Sequence, residues 1–303
     1  MPTTTFPSGA TASTVAPPPV EFDAITADDR TRQSFLLPQR STLSAEATAS
    51  FERAFGRPTR FIEPTFKRNP HRRHEPVRSR RTTAGNDVST NWSGAVVDAP
   101  AGTKFTTATG QWNVPTANPL GAGSSYSSIW VGIDGSHGST DVFQAGVECD
   151  SISLLGVTQA TISPWWEWYP EYEIQITNLP VATGDELYCL LTVTAPTAGT
   201  IVLKNITQGL AVTFQVTAPT GTTLSGNCSE WIVEAPGIDG ALSTLTNYGT
   251  VTFVDCSSTV NNGSIIQSGS GRLLDMSRSG QVLSKATNQG LGGIVCSYTG
   301  PKV

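Results

Sequence analysis

The stretch SSIWVGIDGSHGSTDVFQAGVE, residues 127–148, decides the fold because it predicts two strands joined by a turn. Apolar side chains take every second position in both halves, at Ile129, Val131 and Ile133 and then at Phe143, Ala145 and Val147. Successive side chains of a strand point to opposite faces, so each half has one apolar face for a core. The other faces carry Ser128, Trp130, Gly132 and Asp134, and then Gln144, Gly146 and Glu148.

The same pattern extends from Asn91 nearly to the C-terminus. Segments such as GAVVDA, LYCLLTVTA, AVTFQVTA and GTVTFVD are rich in β-branched and aromatic residues, and turn clusters separate them. Only 14% of the 303 residues are charged, whereas 29 are glycine and 20 are proline. This composition favours many short strands over long helices and predicts an antiparallel β-sandwich or barrel.

Two further segments pair an apolar face with an unusual polar face. In PWWEWYPE, Trp166 and Trp168 oppose Trp165, Glu167 and Tyr169, and in SEWIVEA, Trp231, Val233 and Ala235 oppose Glu230, Ile232 and Glu234. Each carboxylate alone is most simply a solvated strand residue. Here carboxylates, an amide and tryptophans are concentrated on one set of strand faces. This concentration instead predicts that these faces line a groove that binds a polymer chain.

Most other catalytic arrangements lack the residues that they need. Residues 86–303 contain one histidine, His137, in a Gly/Ser loop without a nucleophile-elbow motif, which argues against Ser/His and Cys/His chemistry. Asp134 is followed by Gly135-Ser136, so neither Asp-Thr-Gly nor Asp-Ser-Gly occurs. The five cysteines form no CxxC pair, so we expect no metal site and no cofactor. Carboxylate and amide chemistry remains.

Seven motifs, in order, resemble the glutamic peptidases, or eqolisins. They are NWSGAV (91–96), WNVP (112–115), IWVGIDG (129–135), FQAG (143–146), WWEWYPE (165–171), GDEL (184–187) and EWIVE (230–234). The resemblance implies an all-β antiparallel sandwich of two curved sheets, of the concanavalin-like or jelly-roll type, with its active site on the concave face. It also implies that Gln144 and Glu234 are catalytic. The matching cleft positions are Trp92, Trp130, Asp134, Trp165 and Glu167.

The residue chemistry agrees with this resemblance. Glu234 as a carboxylate can take a proton from water and return it to the leaving amine, while Gln144 can donate an N–H to the oxyanion. Such a pair predicts an acid-acting endopeptidase with polypeptide substrates, no cofactor and no covalent intermediate. The alternatives are a carbohydrate- or calcium-binding β-sandwich module and an inactive peptidase homologue.

Residues 1–85 form a basic, Pro-rich arm of net charge +5, whereas residues 86–303 carry a net −10. We expect residues 1–20 to be disordered and Ser44 to cap a helix over Ala45–Phe55 that ends at Gly56. The arm is either a solvated tail or a pro-segment that docks on the acidic domain as an intramolecular inhibitor, with a linker and processing site between residues 78 and 85.

The remaining expectations concern partners and location. The arm lacks interleaved aromatic residues and the domain would repel phosphate, so no nucleic-acid partner is expected. No apolar run approaches the roughly 18 residues of a membrane helix. No signal peptide is visible, although the resemblance to a largely exported family implies a secreted protein, which we expect to be a monomer.

Overall fold

An arm of short elements precedes the strand-rich part of the chain in the computed structural model, which describes residues 1–83, 85–121, 123–136, 138–154 and 157–301. His137 lies outside these described residues. The arm elements are β1 (Thr3–Thr5), β2 (Thr11–Ser13), α1 (Asp29–Ser34), a 3₁₀ turn (Arg40–Thr42), α2 (Ala45–Phe55), β3 (Arg60–Phe61), β4 (Phe66–Arg68), β5 (Arg72–Arg73) and β6 (Ser79–Arg80).

The prediction for α2 is confirmed, and the prediction of disorder for residues 1–20 is wrong. The Ser44 hydroxyl accepts a hydrogen bond from the Ala47 N–H at 3.1 Å, and the helix ends at Gly56. Strands β1 and β2 pair with each other over three residues. Strand β2 also pairs with residues Gln215–Thr217 of the chain and so extends a larger sheet. This partner is distant in sequence, so local composition does not predict the pairing.

The strand-rich part begins at β7 and contains the remaining elements. These are β7 (Asp87–Ser89), β8 (Trp92–Asp98), β9 (Phe105–Asn113), β10 (Ser128–Ile133), β11 (Val142–Leu154), β12 (Val157–Tyr169), β13 (Ile174–Ile176), β14 (Glu186–Ala195), β15 (Ala198–Asn205), β16 (Leu210–Thr217), β17 (Cys228–Glu234), β18 (Gly237–Ile238), β19 (Ala241–Leu242), β20 (Thr250–Val260), β21 (Ile265–Gln267), a 3₁₀ turn (Ser268–Ser270), β22 (Arg272–Arg278), β23 (Gln281–Asn288) and β24 (Ile294–Tyr298).

These strands form two large antiparallel sheets, as the sequence predicts for a β-sandwich. The front sheet has the order β4-β13-β12-β11-β10-β17-β8-β22. The back sheet has the order β2-β16-β15-β14-β9-β20-β24-β23. The hairpin between β22 and β23 joins one edge of the two sheets.

The predicted strand parity is confirmed, because the apolar faces meet in one core between the sheets. From the front sheet this core receives Ile129, Val131, Ile133, Phe143, Ala145, Val147, Trp166, Trp168, Trp231, Val233 and Ala235. From the back sheet it receives Leu187, Cys189, Leu191, Ile201, Leu203, Val212 and Phe214. The carboxylates and the amide of the front sheet therefore point away from the core, onto a cleft face.

The arm contacts both outer surfaces of the sandwich. Helix α2 packs on the outer face of the back sheet, where Phe51 and Phe55 join a second apolar cluster with Tyr188 and Leu190. Residues 71–78 then cross the cleft face of the front sheet, where β5 pairs with β18. All five cysteines are buried and free. Within the described ranges, no helix is long and apolar enough to span a membrane.

Candidate active site

Gln144 and Glu234 reach the cleft face from strands that flank β10 on its two sides. Gln144 on β11 lies opposite Gly132, and Glu234 on β17 lies opposite Ser128. Both side chains alternate with core residues and are fully buried. The structure thus brings the predicted catalytic pair together on one face, separated by a single strand.

Glu234 lies between an indole and an imidazole. The Trp130 Nε1–H donates to Glu234 Oε2 at 3.0 Å, and His74 Nδ1 lies 3.3 Å from the same oxygen. Burial raises the pKa of Glu234, although the contacts with His74 and Trp130 act in the opposite direction. Gly132 leaves room for the indole, since a Cβ there would lie 2.6 Å from the Trp130 Cζ3.

Gln144 contacts the arm through its side-chain amide. Its Nε2 donates to the backbone carbonyl oxygen of His74 at 3.0 Å. Across the described part of the chain, Gln144 Oε1 has no hydrogen-bond partner. The amide therefore presents its donor to a peptide carbonyl, which is the orientation that oxyanion stabilisation needs.

The five predicted cleft residues divide into four that surround this centre and one that does not. The Trp165 ring stacks on the His74 imidazole with centroids 3.7 Å apart, and Glu167 accepts the His74 N–H at 3.2 Å. Trp92 packs edge-on against Trp130 at 4.8 Å. Asp134 instead follows the last residue of β10, and its carboxylate accepts the N–H groups of residues 226 and 227 at 2.8 Å.

Arg72 and His74 of the arm place cations among the cleft carboxylates, and neither is predicted from the sequence. The Arg72 guanidinium lies 2.5 Å from Glu148, 2.6 Å from Asp150 and 3.5 Å from Glu173. His74 Nε2 lies 3.2 Å from Glu148 and 3.5 Å from Glu173. Their only sequence signal is the cluster HRRH (71–74), which contains two of the three histidines of the chain.

Charge pairing and burial compete in this cluster. Burial raises the pKa of Asp150 to about 7 even though Arg72 lowers it. Burial would also raise the pKa of Glu173, but Arg72 and His74 outweigh it and the pKa is lowered. The pKa of His74 is raised well above its usual value despite burial, because Glu148, Glu173 and Glu234 stabilise the imidazolium.

His74, Glu148 and Glu173 also form a group with the geometry of a cation site. Their ligand atoms all lie within 4.8 Å of one another. The Arg72 guanidinium already contacts both carboxylates, so the group is neutralised by a cation of the chain itself. The residues present therefore fit an organic cation better than a metal ion.

A second group of acids lies further along the cleft face, around Asp134. Glu230 is fully buried, and neither of its oxygens has a hydrogen-bond partner among the described residues. Burial first, and then the charge of Asp134, raise the pKa of Glu230. The same two causes raise the pKa of Asp141 to about 6.

A large cavity of about 640 Å³ lies elsewhere, between the arm and the back sheet. Its lining residues include Leu37, Thr107, Thr192 and Asn261, and no side chain of the lining titrates. It therefore offers no acid–base chemistry, and the arm-covered cleft remains the candidate site.

Comparison with known proteins agrees with this geometry. The model of the Peptidase A4 family matches residues 90–298. Aspergillopepsin-2 of Aspergillus niger is 28% identical over 226 residues, which covers 69% of this chain and 77% of that protein.

Two solved structures have the same fold. Scytalido-glutamic peptidase with a transition state analog inhibitor superposes with a TM-score of 0.61 at 26% identity, over 69% of this chain and 98% of that one. Aspergilloglutamic peptidase from Aspergillus niger superposes with a TM-score of 0.52 at 28% identity, over 58% of this chain and 99% of that one. The chain belongs to the Peptidase A4 family, the glutamic peptidases or eqolisins, and it is an acid endopeptidase.

Proposed function

We propose that Glu234 and Gln144 are the catalytic pair of this endopeptidase. The observation that carries the proposal is that both side chains contact one residue of an extended segment, His74, at its ring and at its carbonyl oxygen. Glu234 would take a proton from the attacking water and return it to the leaving nitrogen. Gln144 would stabilise the oxyanion, because its N–H donor already points at a peptide carbonyl.

The surrounding residues support these roles in different ways. Trp130 orients the Glu234 carboxylate through its indole N–H, and Trp92 supports the Trp130 ring. Trp165 and Glu167 would bind substrate, by stacking on a side chain and by accepting a backbone N–H. Asp134 would act at a distance, by holding the 226–227 turn at the end of the cleft.

Residues 1–85 would be a pro-segment that inhibits the peptidase domain, residues 86–303, within one chain. Support comes from the position of Arg72 and His74, which place two cations among the carboxylates of the cleft. A segment that fills the cleft of its own chain needs no second subunit, which agrees with a monomer. Export remains an expectation from the family resemblance.

The test is digestion of an acid-unfolded protein at about pH 4 by the wild type and four variants. Glu234→Gln should reduce the rate by at least about 10³-fold, since it removes both base and acid. Gln144→Ala should reduce it by about 10²–10³-fold. The matched controls Glu186→Gln and Gln208→Ala lie outside the cleft and should digest like the wild type. Activity that survives Glu234→Gln would refute the assignment.

A further inference from the structure

The arm crosses the cleft in an extended conformation with its backbone held from both sides. Strand β5 pairs with β18, so that Arg73 lies opposite Gly237. The Arg72 carbonyl accepts the Glu173 N–H at 3.1 Å, and the His71 carbonyl accepts the Asp239 N–H at 2.8 Å. Addition of an extended peptide to a strand edge is a usual way to bind a polypeptide through its main chain.

One peptide group of this segment lies against both predicted catalytic residues. The His74 carbonyl oxygen accepts from Gln144 Nε2 at 3.0 Å, and the His74 ring reaches Glu234 Oε2 at 3.3 Å. The His74 N–H is held by Glu167 at 3.2 Å. The bond whose carbonyl is polarised is therefore the one between His74 and Glu75.

The Arg72 side chain, on the N-terminal side of that bond, occupies a pocket lined by acidic residues. Arg72 is buried among Glu148, Asp150 and Glu173, with the Tyr126 ring 5.2 Å from its guanidinium carbon. The basic side chain of the third residue before the bond thus meets three carboxylates. On the other side of the bond, the Glu75 side chain instead forms a local ion pair with Arg78.

We propose that the arm is bound as a substrate, and that the His74–Glu75 bond is the first one that this chain cuts, in its own arm, on acidification. The inference rests on the proposed roles of Glu234 and Gln144. The oxygen of water adds to the His74 carbonyl carbon while Glu234 takes the proton of the water. The bond to the Glu75 nitrogen then breaks as that nitrogen receives the proton, which leaves a carboxyl group on His74 and an amine on Glu75.

The contacts of His74 explain why the bond is stable before acidification. Its Nδ1 holds Glu234 Oε2, the atom that would otherwise activate water. Three carboxylates contact this ring, from Glu148 on β11, Glu173 before β13 and Glu234 on β17. Glu167 on β12 accepts the backbone N–H of the same residue. Arg72 is the neighbouring cation. Burial raises the pKa of Glu167 and of Asp150, so acid neutralises the carboxylates that hold the His74 N–H and the Arg72 guanidinium. The loosened arm then frees the Glu234 carboxylate from the imidazole.

The experiment follows the intact masses of the full chain after a shift from neutral pH to about pH 4. We expect fragments 1–74 and 75–303 to appear first, with a rate that does not depend on protein concentration. Glu75→Pro should suppress this cut by at least 10²-fold, because the proline ring crowds the leaving nitrogen and fixes the backbone on both sides of the bond. The matched variant Arg81→Ala, in the segment where the sequence predicts processing, should cut at 74–75 at the wild-type rate. Glu234→Gln should stay intact.

Digestion of an added unfolded protein in the same samples separates the possible failures. If the wild type digests that protein while the 74–75 bond stays intact or is cut only after a cut at 78–85, this inference is wrong and the proposed function stands. If the wild type does neither, both are wrong. Circular dichroism at neutral pH verifies that Glu75→Pro is folded, and a folded Glu75→Pro chain that activates at the wild-type rate would also overturn the inference.

Discussion

The attraction between the arm and the acidic cleft depends on pH, and His74 lies at the centre of the charges involved. Its imidazolium attracts the arm to the cleft below its raised pKa, and this attraction is lost as pH rises through that value. The carboxylates attract the two arm cations only while ionised, and this attraction is lost as pH falls. Asp150, with a pKa of about 7, loses its charge early. The arm is therefore held most firmly near neutrality.

The first prediction concerns the imidazole itself. His74→Gln should loosen residues 70–78 near pH 7, because it removes one member of a buried charge cluster at a cost of about 3–5 kcal/mol. Hydrogen–deuterium exchange of this segment should accelerate by about 10²-fold or more. The matched variant His71→Gln changes an exposed imidazole beside Asp239 and should exchange like the wild type. Equal acceleration in both variants would contradict the role of His74.

The positions of some cleft residues could be predicted from the sequence, whereas those of others could not. Strand parity puts Gln144 and Glu234 on the polar faces of their strands, and the family motifs identify them, because alternation is a local property. His74 meets Glu234 across 160 positions of sequence, and no local pattern predicts such a contact. Asp134 shares the polar parity of its strand, but it lies at the strand end and binds a turn instead.

Among the elements, the arm divides into two parts that dock by different physics. Residues 71–78 are held by charges and by main-chain hydrogen bonds. Helix α2 and strand β3 are held by apolar packing, with Phe51, Phe55 and Phe61 against Tyr188 and other residues of the back sheet. Strands β2 and β3 also pair with β16 and cover an edge of the sheet. Apolar burial does not titrate, so acid should weaken only the charge contacts of the first part.

A second prediction follows for the chain after its arm is cut. Fragment 1–74 should stay bound to the peptidase domain at about pH 4 and co-elute with it in gel filtration. Phe51→Ala should weaken this association, because deletion of a buried phenylalanine ring costs about 3–5 kcal/mol. Val20→Ala trims a side chain that is 85% exposed and should leave it unchanged. Dissociation of the wild-type fragment in acid would show that charge holds the whole arm.

The elements of the arm also show which local signals carry structural information. The boundaries of α2 follow from a serine cap and a terminal glycine, which act within a few residues. Strands β1 and β2 leave no comparable pattern, since the Thr/Ala/Pro-rich sequence around them is typical of disorder. These strands are ordered because β2 pairs with β16, which lies about 200 residues away in the sequence. Strand pairing of this range is the part of the fold that composition misses.

At the scale of the whole molecule, charge separation couples the arm to the pH of the medium. A basic arm and an acidic domain can be recognised by counting residues, but which charges meet depends on the fold. Arg72 and His74 meet the cleft carboxylates, whereas Arg53 pairs with Asp255 on the back sheet. The partly exposed pair of Arg53 and Asp255 contributes less than the buried pairs. The buried acids without a cation then govern how stability varies with pH.

The third prediction concerns those acids. A carboxyl group with a raised folded pKa stabilises the fold while protonated, and this stabilisation is lost as pH rises through the folded pKa. Burial raises the pKa of Asp134. Burial and the charge of Asp134 raise the pKa of Glu230, and they raise that of Asp141 to about 6. Thermal melting should therefore occur at a higher temperature at about pH 5 than at pH 7.

Glu230→Gln isolates this effect from the arm. In a Glu234→Gln background, which should keep the chain uncut, the added change should stabilise the fold by about 1–3 kcal/mol at pH 7, because a neutral amide has no proton to lose. The gain should vanish below about pH 4.5, where Glu230 is protonated in both folded and unfolded chains. Glu21→Gln, at an exposed position of the arm, is the matched control. A lower melting temperature for Glu230→Gln at pH 7 would show that the ionised carboxylate has a stabilising partner.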